Sequence, residues 1–309
     1  MGKYERKNNK IIVICILLVS FGITLFSIYN FYLYRGYTQE KDELSKQLEA
    51  KQAQITEQTK ENDAIEAKIN ELKNIDDRIE KLKTEVFKSA SELEQKIKNK
   101  ETDKKIAYLT FDDGPYYLTY KFLDVLKKHN VKGTFFTIGT GKQKCYDNTS
   151  KNCYPVYKEI VNDGHTIANH TYSHAIWKGL YKSTNNFITQ VKKQEKLIYE
   201  QTGVTTNILR FPGGSSTAGK LKNSIIKELR NLNYGWVDWT SQNGDGGSIS
   251  SKEQAFKNFK NTINENIEVV LFHDYNSITL SMLPDVIKYL EGKGYILLPL
   301  FYESVKINK

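Results

Sequence analysis

The sequence predicts an α/β domain on a largely parallel sheet, preceded by a membrane-spanning helix and a long helical stalk. Three observations lead there. Residues 11–34 of the 309-residue chain hold no charge and are dominated by Ile, Leu, Val and Phe. Residues 37–113 contain neither Gly nor Pro and are rich in Glu, Lys, Gln, Ala, Ile and Leu. Beyond residue 104, seven short β-rich runs alternate with six helical patterns, the texture of α/β domains.

Taken in order, residues 1–10 form a short flank carrying Lys3, Arg6, Lys7 and Lys10. At 1.5 Å per residue, about 20 apolar residues cross the hydrocarbon core, so 11–34 suffices as an anchor. The competing reading, a cleaved signal peptide, needs a small-residue cleavage site. Here the run ends Ser27-Ile28-Tyr29-Asn30-Phe31-Tyr32-Leu33-Tyr34 instead. The basic flank places residues 1–10 in the cytoplasm and the rest of the chain outside the cell membrane, and Tyr29, Tyr32 and Tyr34 suit an interfacial belt.

Residues 35–103 read as the stalk. Ile65, Ile69, Leu72, Ile75, Ile79, Leu82, Val86, Ala90, Leu93 and Ile97 follow one another at steps of three or four, a heptad-like seam. A coiled coil, pairing chains into a homo-oligomer or folding back on itself, is expected over a lone solvated helix. About 60 helical residues reach about 90 Å.

In residues 104–309, strands are expected over 106–111, 133–138, 166–168, 206–210, 234–237, 267–272 and 295–298. Helices are expected over 117–129, 155–162, 184–202, 220–232, 252–264 and 278–291. The pattern does not separate a closed barrel from an open doubly wound sheet. The composition, 39% hydrophobic and 26% charged, excludes a disordered chain and a polytopic membrane protein. Three cysteines with no C-x-x-C pair exclude a disulfide mini-protein and a zinc ribbon. Cys145 and Cys153 bracket a short polar loop in a domain placed outside the membrane, so a disulfide between them is expected, while Cys15 lies in the anchor. The net charge of +9 sits mostly beyond residue 100, which suits an anionic partner without choosing among nucleic acid, lipid headgroups and acidic polymer.

The promising polar residues fall just after expected strands, where α/β folds place their sites. Asp112 and Asp113 end the first strand, in Thr110-Phe111-Asp112-Asp113-Gly114-Pro115. One carboxylate can bind a metal while the other handles a proton; an acidic turn is the alternative. His170 and His174 have a metal-ligand spacing of four. His165 reads as structural and His129 as a helix C-terminal cap. Arg210 opens Arg210-Phe211-Pro212-Gly213-Gly214, and is costly to bury without a carboxylate such as Asp112. Trp236, Asp238 and Trp239 precede Asp245, the tryptophans either core or facing a sugar ring. Leu271 and His273 end a further strand, the histidine a proton donor or a core residue.

In their order along the chain, these clusters resemble the motifs of the NodB-type polysaccharide deacetylases, carbohydrate esterase family four. Thr110–Pro115 resembles T-F-D-D-G-P, 170–174 resembles H-[ST]-x-x-H, 210–213 is similar to R-x-P and 271–273 to L-x-H. The resemblance covers about 104–300 and implies a distorted (β/α) barrel of the NodB type. It implies one divalent transition metal, zinc first with cobalt or nickel as alternatives, held by Asp113, His170 and His174. By motif position Asp112 is the base, Arg210 orients it, His273 is the acid and Leu271 lines the pocket for the acetyl methyl. Gly213, where the family often has an aromatic, and Trp239 are expected beside substrate. A D-x-x-D-W motif survives only in altered form, so either Asp238 or Asp245 is expected to support Arg210.

The implied function is metal-dependent deacetylation of N-acetylated cell-surface polysaccharide, with peptidoglycan N-acetylglucosamine as first choice and no nucleic-acid partner. The alternatives are an exopolysaccharide, a chitin-type oligomer or an O-acetyl ester as substrate. A non-enzymatic alternative is a glycan-binding coiled-coil envelope protein.

Overall fold

The computed structural model describes residues 2–139 and 153–309, so Cys145 lies outside the described residues. The chain divides into two compact units, Met1–Lys81 and Leu82–Lys309. A single helix, α1 (Gly2–Lys98), fills the first and enters the second. This helix is long and apolar enough to cross a membrane by length and composition, and the side chains of Ile16, Phe21, Phe26 and Phe31 are exposed.

Within the second unit, β1 (Lys105–Asp112) is followed by α2 (Thr119–Lys128), β2 (Thr134–Thr137), α3 (Pro155–Asn162) and β3 (Thr166–Asn169). Then come α4 (Thr184–Thr202), β4 (Ile208–Leu209), α5 (Lys222–Asn231), β5 (Gly235–Trp236) and β6 (Ser241–Gln242). The unit closes with α6 (Lys252–Thr262), β7 (Ile267–His273), α7 (Ser277–Gly292) and β8 (Tyr295–Leu297). All strand pairs are parallel, in the order β5-β4-β3-β2-β1-β7-β6, with β8 on the first residues of β1.

Connectivity forces this sheet to curl. β5 and β6 are its two ends, six strand spacings apart, which is roughly 29 Å if flat. Only residues 237–240 join them, a link that spans at most about 17 Å. The result is a half-barrel with an inner and an outer face. The period of two then sorts β1. Ala107, Leu109 and Phe111 pack outward against the helices, while Ile106 and Tyr108 join Phe136, Ala168, Ile208, Val237 and Val269 inside. Thr110 and Asp112 therefore face the interior, as do Leu271 and His273 on β7.

The interior is completed from outside the sheet. Ile97 of α1 and Leu300 and Ile307 of the C-terminal tail are buried in the same cluster, and Leu93 packs against it. Phe87 stacks on Phe301 with ring centroids 5.0 Å apart. The tail also pairs with β5 through two backbone hydrogen bonds between Trp236 and Asn308, of 2.8 and 2.9 Å, which covers that end strand. Buried Glu94 accepts from Val305 N–H at 2.7 Å and so ties α1 to the tail.

Seven expected strands are present with shifted ends, and β6 is added. The seam of α1 divides. Ile65, Ile69, Leu72, Ile75, Ile79, Leu82 and Val86 are exposed, whereas Ala90, Leu93 and Ile97 serve the domain core. Spacing of three and four describes a helix face but not what covers it. The compact unit starts before residue 104, since α1 supplies part of its interior.

Two outcomes follow from this junction. A chain starting at residue 82 should unfold cooperatively, while one starting at 104 should melt much lower or fail to fold. Each buried apolar side chain is worth about 1.5–3 kcal/mol, against a domain total of about 5–15 kcal/mol. Equal melting temperatures would contradict the packing. Burial pushes the Glu94 carboxyl up to about 7, against hydrogen bonds from the Val305 and Ser304 side that lower it. Its folded pKa exceeds its unfolded value of 4.5, so ionisation costs stability that is lost as pH rises from about 4.5 to about 7. Glu94→Gln should gain stability relative to wild type across that window and keep a constant advantage above it. A difference independent of pH would contradict this.

Candidate active site

The carboxyl ends of the parallel strands bring the candidate residues together. Asp112 ends β1 and Asp113 follows it, His170 follows β3, Arg210 follows β4, Asp238 lies after β5 and His273 ends β7. Asp113 and His174 take left-handed φ values of 71° and 47°, which turn each out of the direction its neighbours follow. Adjacent Asp112 and Asp113 thus point apart, Asp112 to Arg210 and Asp113 to His174, while His170 Nε2 lies 3.6 and 3.5 Å from an oxygen of each.

Arg210 is fully buried inside the barrel. Its Nη1 donates to Asp112 Oδ1 at 2.9 Å and to Thr110 Oγ1 at 2.7 Å. Nε and Nη2 donate to the carbonyls of Val237 and Asp238 at 3.3 and 3.2 Å. The guanidinium also lies over the Phe136 ring, 4.3 Å from its centroid. Burial raises the Asp112 carboxyl above its ordinary range, opposed by the positive charge of Arg210.

Asp113, His170 and His174 offer ligand atoms that all lie within 4.8 Å of one another. His170 Nε2 is 3.5 Å and His174 Nε2 3.3 Å from Asp113 Oδ1, and that buried oxygen has no hydrogen-bond partner. His170 Nδ1 donates to the Arg210 carbonyl at 2.8 Å, which leaves the Nε2 lone pair free. Burial, reinforced by His174, holds His170 well below the usual histidine range, so it is neutral. Two imidazoles and a carboxylate whose buried oxygen lacks a hydrogen-bond partner fit a divalent transition metal.

His273 faces the same space, its Nε2 3.9 Å from Asp113 Oδ2. Its Nδ1 donates to Asp245 Oδ1 at 2.7 Å, and its backbone N–H to Asp245 Oδ2 at 2.9 Å. Asp245 is itself held by Thr279 Oγ1 at 2.6 Å and by its own N–H on Asn243 Oδ1 at 3.1 Å. Burial works against charge on His273, but Asp245, with Asp113 and Asp112, outweighs it and pushes the imidazole up to about 9. Leu271 is buried two residues earlier on the same face.

The support expected for Arg210 is distributed differently. Asp238 reaches Arg210 through its backbone carbonyl, and its carboxylate accepts from Ser215 N–H at 2.9 Å and Ser215 Oγ at 2.5 Å. Asp245 belongs to His273. Neither carboxylate pairs with the guanidinium, because the link after β5 presents the main-chain carbonyls of Val237 and Asp238 to it. Trp239 lies half-buried with its ring centroid 5.9 Å from the guanidinium, and Trp236 is buried core. Gly213 has φ +74°, and a Cβ there would meet Thr217 Oγ1 at 3.0 Å. His165 is buried, accepts from Gly133 N–H at 3.0 Å and takes no part in the site. His129 caps α2. Cys153 is buried beside α3.

Sequence reading missed Asp274. It is buried, accepts from Thr119 Oγ1 at 2.6 Å and is pushed up to about 7 by burial. A Cβ on Gly114 would collide with it at 2.1 Å, so Gly114 and Asp274 fix the turn beneath Asp113. The only sequence signal was its place after His273.

Because Arg210 neutralises a buried carboxylate, Arg210→Met should cost about 3–5 kcal/mol in denaturant unfolding. The double variant Arg210→Met/Asp112→Leu should recover much of that loss. A single-variant cost below about 1 kcal/mol would mean that the pair does not carry the fold.

Comparison with known proteins agrees with this geometry. Residues 99–235 match the family profile described as polysaccharide deacetylase. A peptidoglycan-N-acetylglucosamine deacetylase of Bacillus cereus is 31% identical over 216 residues, covering 65% of this chain and 70% of that protein. One of Listeria monocytogenes is 29% identical over 67% of this chain but only 41% of its own length. The catalytic domain of a peptidoglycan N-acetylglucosamine deacetylase from Eubacterium rectale superposes with a TM-score of 0.60 at 31% identity, over 67% of this chain and 93% of that domain. A polysaccharide deacetylase from Bacillus cereus gives 0.56 at 28% identity, over 65% of this chain and 94% of that structure. By its profile, its relatives and its strand-end site, the chain belongs to the polysaccharide deacetylase family.

Proposed function

We propose that this deacetylase removes acetyl groups from N-acetylglucosamine of peptidoglycan, from a position anchored in the cell membrane. The observation that carries the chemistry is the division of labour between neighbours: Asp112 bound to Arg210, and Asp113 grouped with His170 and His174. The named activity of the relatives supports the substrate, and the exposed apolar helix supports the anchor.

A divalent metal on Asp113, His170 and His174, zinc first with cobalt or nickel as alternatives, would supply Lewis acidity toward the acetyl carbonyl and acidify a water. Asp112, fixed by Arg210, takes the proton from the attacking water. The water oxygen bonds to the acetyl carbon, and the C–N bond then breaks. His273, steered by Asp245, gives its proton to the departing amine. Acetate and a free glucosamine amine are the products. Leu271 offers the methyl group an apolar wall, and Trp239 and Gly213 border the opening.

The exposed seam of α1 over residues 65–86 suits pairing of chains. A rigid helix of about 60 residues reaches about 90 Å, against about 40–50 Å for a flexible tether of that length. That reach would present the site to glycan strands away from the lipid surface.

His174→Ala should lose metal by elemental analysis and lose acetate release from an N-acetylglucosamine oligomer. Asp112→Asn should keep the metal and lose about 10²–10⁴-fold in turnover. Full metal occupancy in His174→Ala, or metal loss in Asp112→Asn, would contradict these assignments.

A further inference from the structure

Three residues beyond His174, Trp177 is 94% exposed. Among the described residues, no other large apolar side chain is as exposed. An indole left in water within a packed unit lacks the burial that normally retains it.

The turn that carries it is firmly held. Residues Ile176–Lys178 form a short 3-10 turn whose Ile176 N–H donates to the His174 carbonyl at 3.0 Å. Lys178 and Leu180 N–H both donate to the Ala175 carbonyl, at 3.0 and 3.1 Å. Leu180 is buried, and Asn186 Nδ2 closes the carbonyls of Gly179 and Leu180 at 2.6 and 3.1 Å. Tyr181 Oη donates to the Pro212 carbonyl at 2.8 Å, which ties the segment to the loop after Arg210. Ile176 lies against Gly213, where a Cβ would come within 3.2 Å of its Cδ1. The residue after Pro212 therefore has no side chain, and the Ile176–Lys178 turn covers its place at the rim.

We propose that Trp177 is a substrate-binding residue that stacks on a saccharide ring of the same glycan strand, beside the ring being deacetylated. The proposal rests on the glycan deacetylase reading above. Three residues span at most about 11 Å, so the backbone of Trp177 stands within a sugar residue or two of that of His174. The apolar C–H face of a pyranose matches a flat aromatic surface, and a rigid turn presents the indole with little ordering cost. Such a contact adds binding only for substrates long enough to reach it.

The test compares Trp177→Ala, Trp177→Phe and wild type as full-length protein in mild detergent. Acetate release is followed on short and long N-acetylglucosamine oligomers. Trp177→Ala should lose about threefold to tenfold in kcat/KM on the long oligomers, through KM, with short oligomers unaffected. Trp177→Phe should restore most of the loss. Equal loss on both lengths, or no loss on either, would overturn the proposal. Weakened binding to anionic lipid vesicles with unchanged oligomer kinetics would also overturn it, assigning the indole to a membrane surface. Wild-type protein that releases no acetate from either length would instead defeat the deacetylase reading, and this assignment with it.

Discussion

The site depends on one buried ion pair. Arg210 lies inside the barrel, and its donors reach β1 through Thr110 and Asp112 and the β5–β6 link through Val237 and Asp238. A guanidinium with fewer partners could not be kept out of water. The same residue, through its carbonyl, sets the tautomer of His170. Arg210 thereby fixes Asp112 through its side chain and His170 through its backbone carbonyl. Asp245 does for His273 what Arg210 does for Asp112, holding it from both ring and main chain.

That arrangement needs a curled sheet, and the curl needs filling. A four-residue link between the two end strands rolls the sheet, and its gap is lined by the end of α1 and the C-terminal tail. Glu94 joins these two segments. The amino ends of the strands thus carry the packing, and the carboxyl ends carry the chemistry. A polar interior near the site is tolerated because Ile97, Leu300 and Ile307 fill the rest of the same cavity with apolar volume.

Much of this was legible in the sequence, for physical reasons. Doubly buried strands such as β1 and β7 read as apolar runs, and the strand-end clusters marked the side of the sheet that carries the site. Ser241 and Gln242 gave no strand signal, because β6 exists only through its pairing with Val270 and Leu271. The last turns of α1 share their spacing with the exposed seam, so composition could not show that Ala90 and Ile97 belong to the domain. Asp245 was visible as an acidic residue near a tryptophan pair, but its partner was set by the return of the chain through β7. Thr279 and Asn243, which complete that hydrogen-bonded group, gave no signal.

Deacetylation of wall N-acetylglucosamine through the Asp112, Asp113 and histidine group, as proposed above, is open to test in cells. The direct measurement is mass spectrometry of cell-wall fragments from cells that carry the protein, lack it, or carry only Asp112→Asn. Glucosamine is expected in fragments from the first and should be lost from both of the others. Equal acetylation in all three would contradict the proposal.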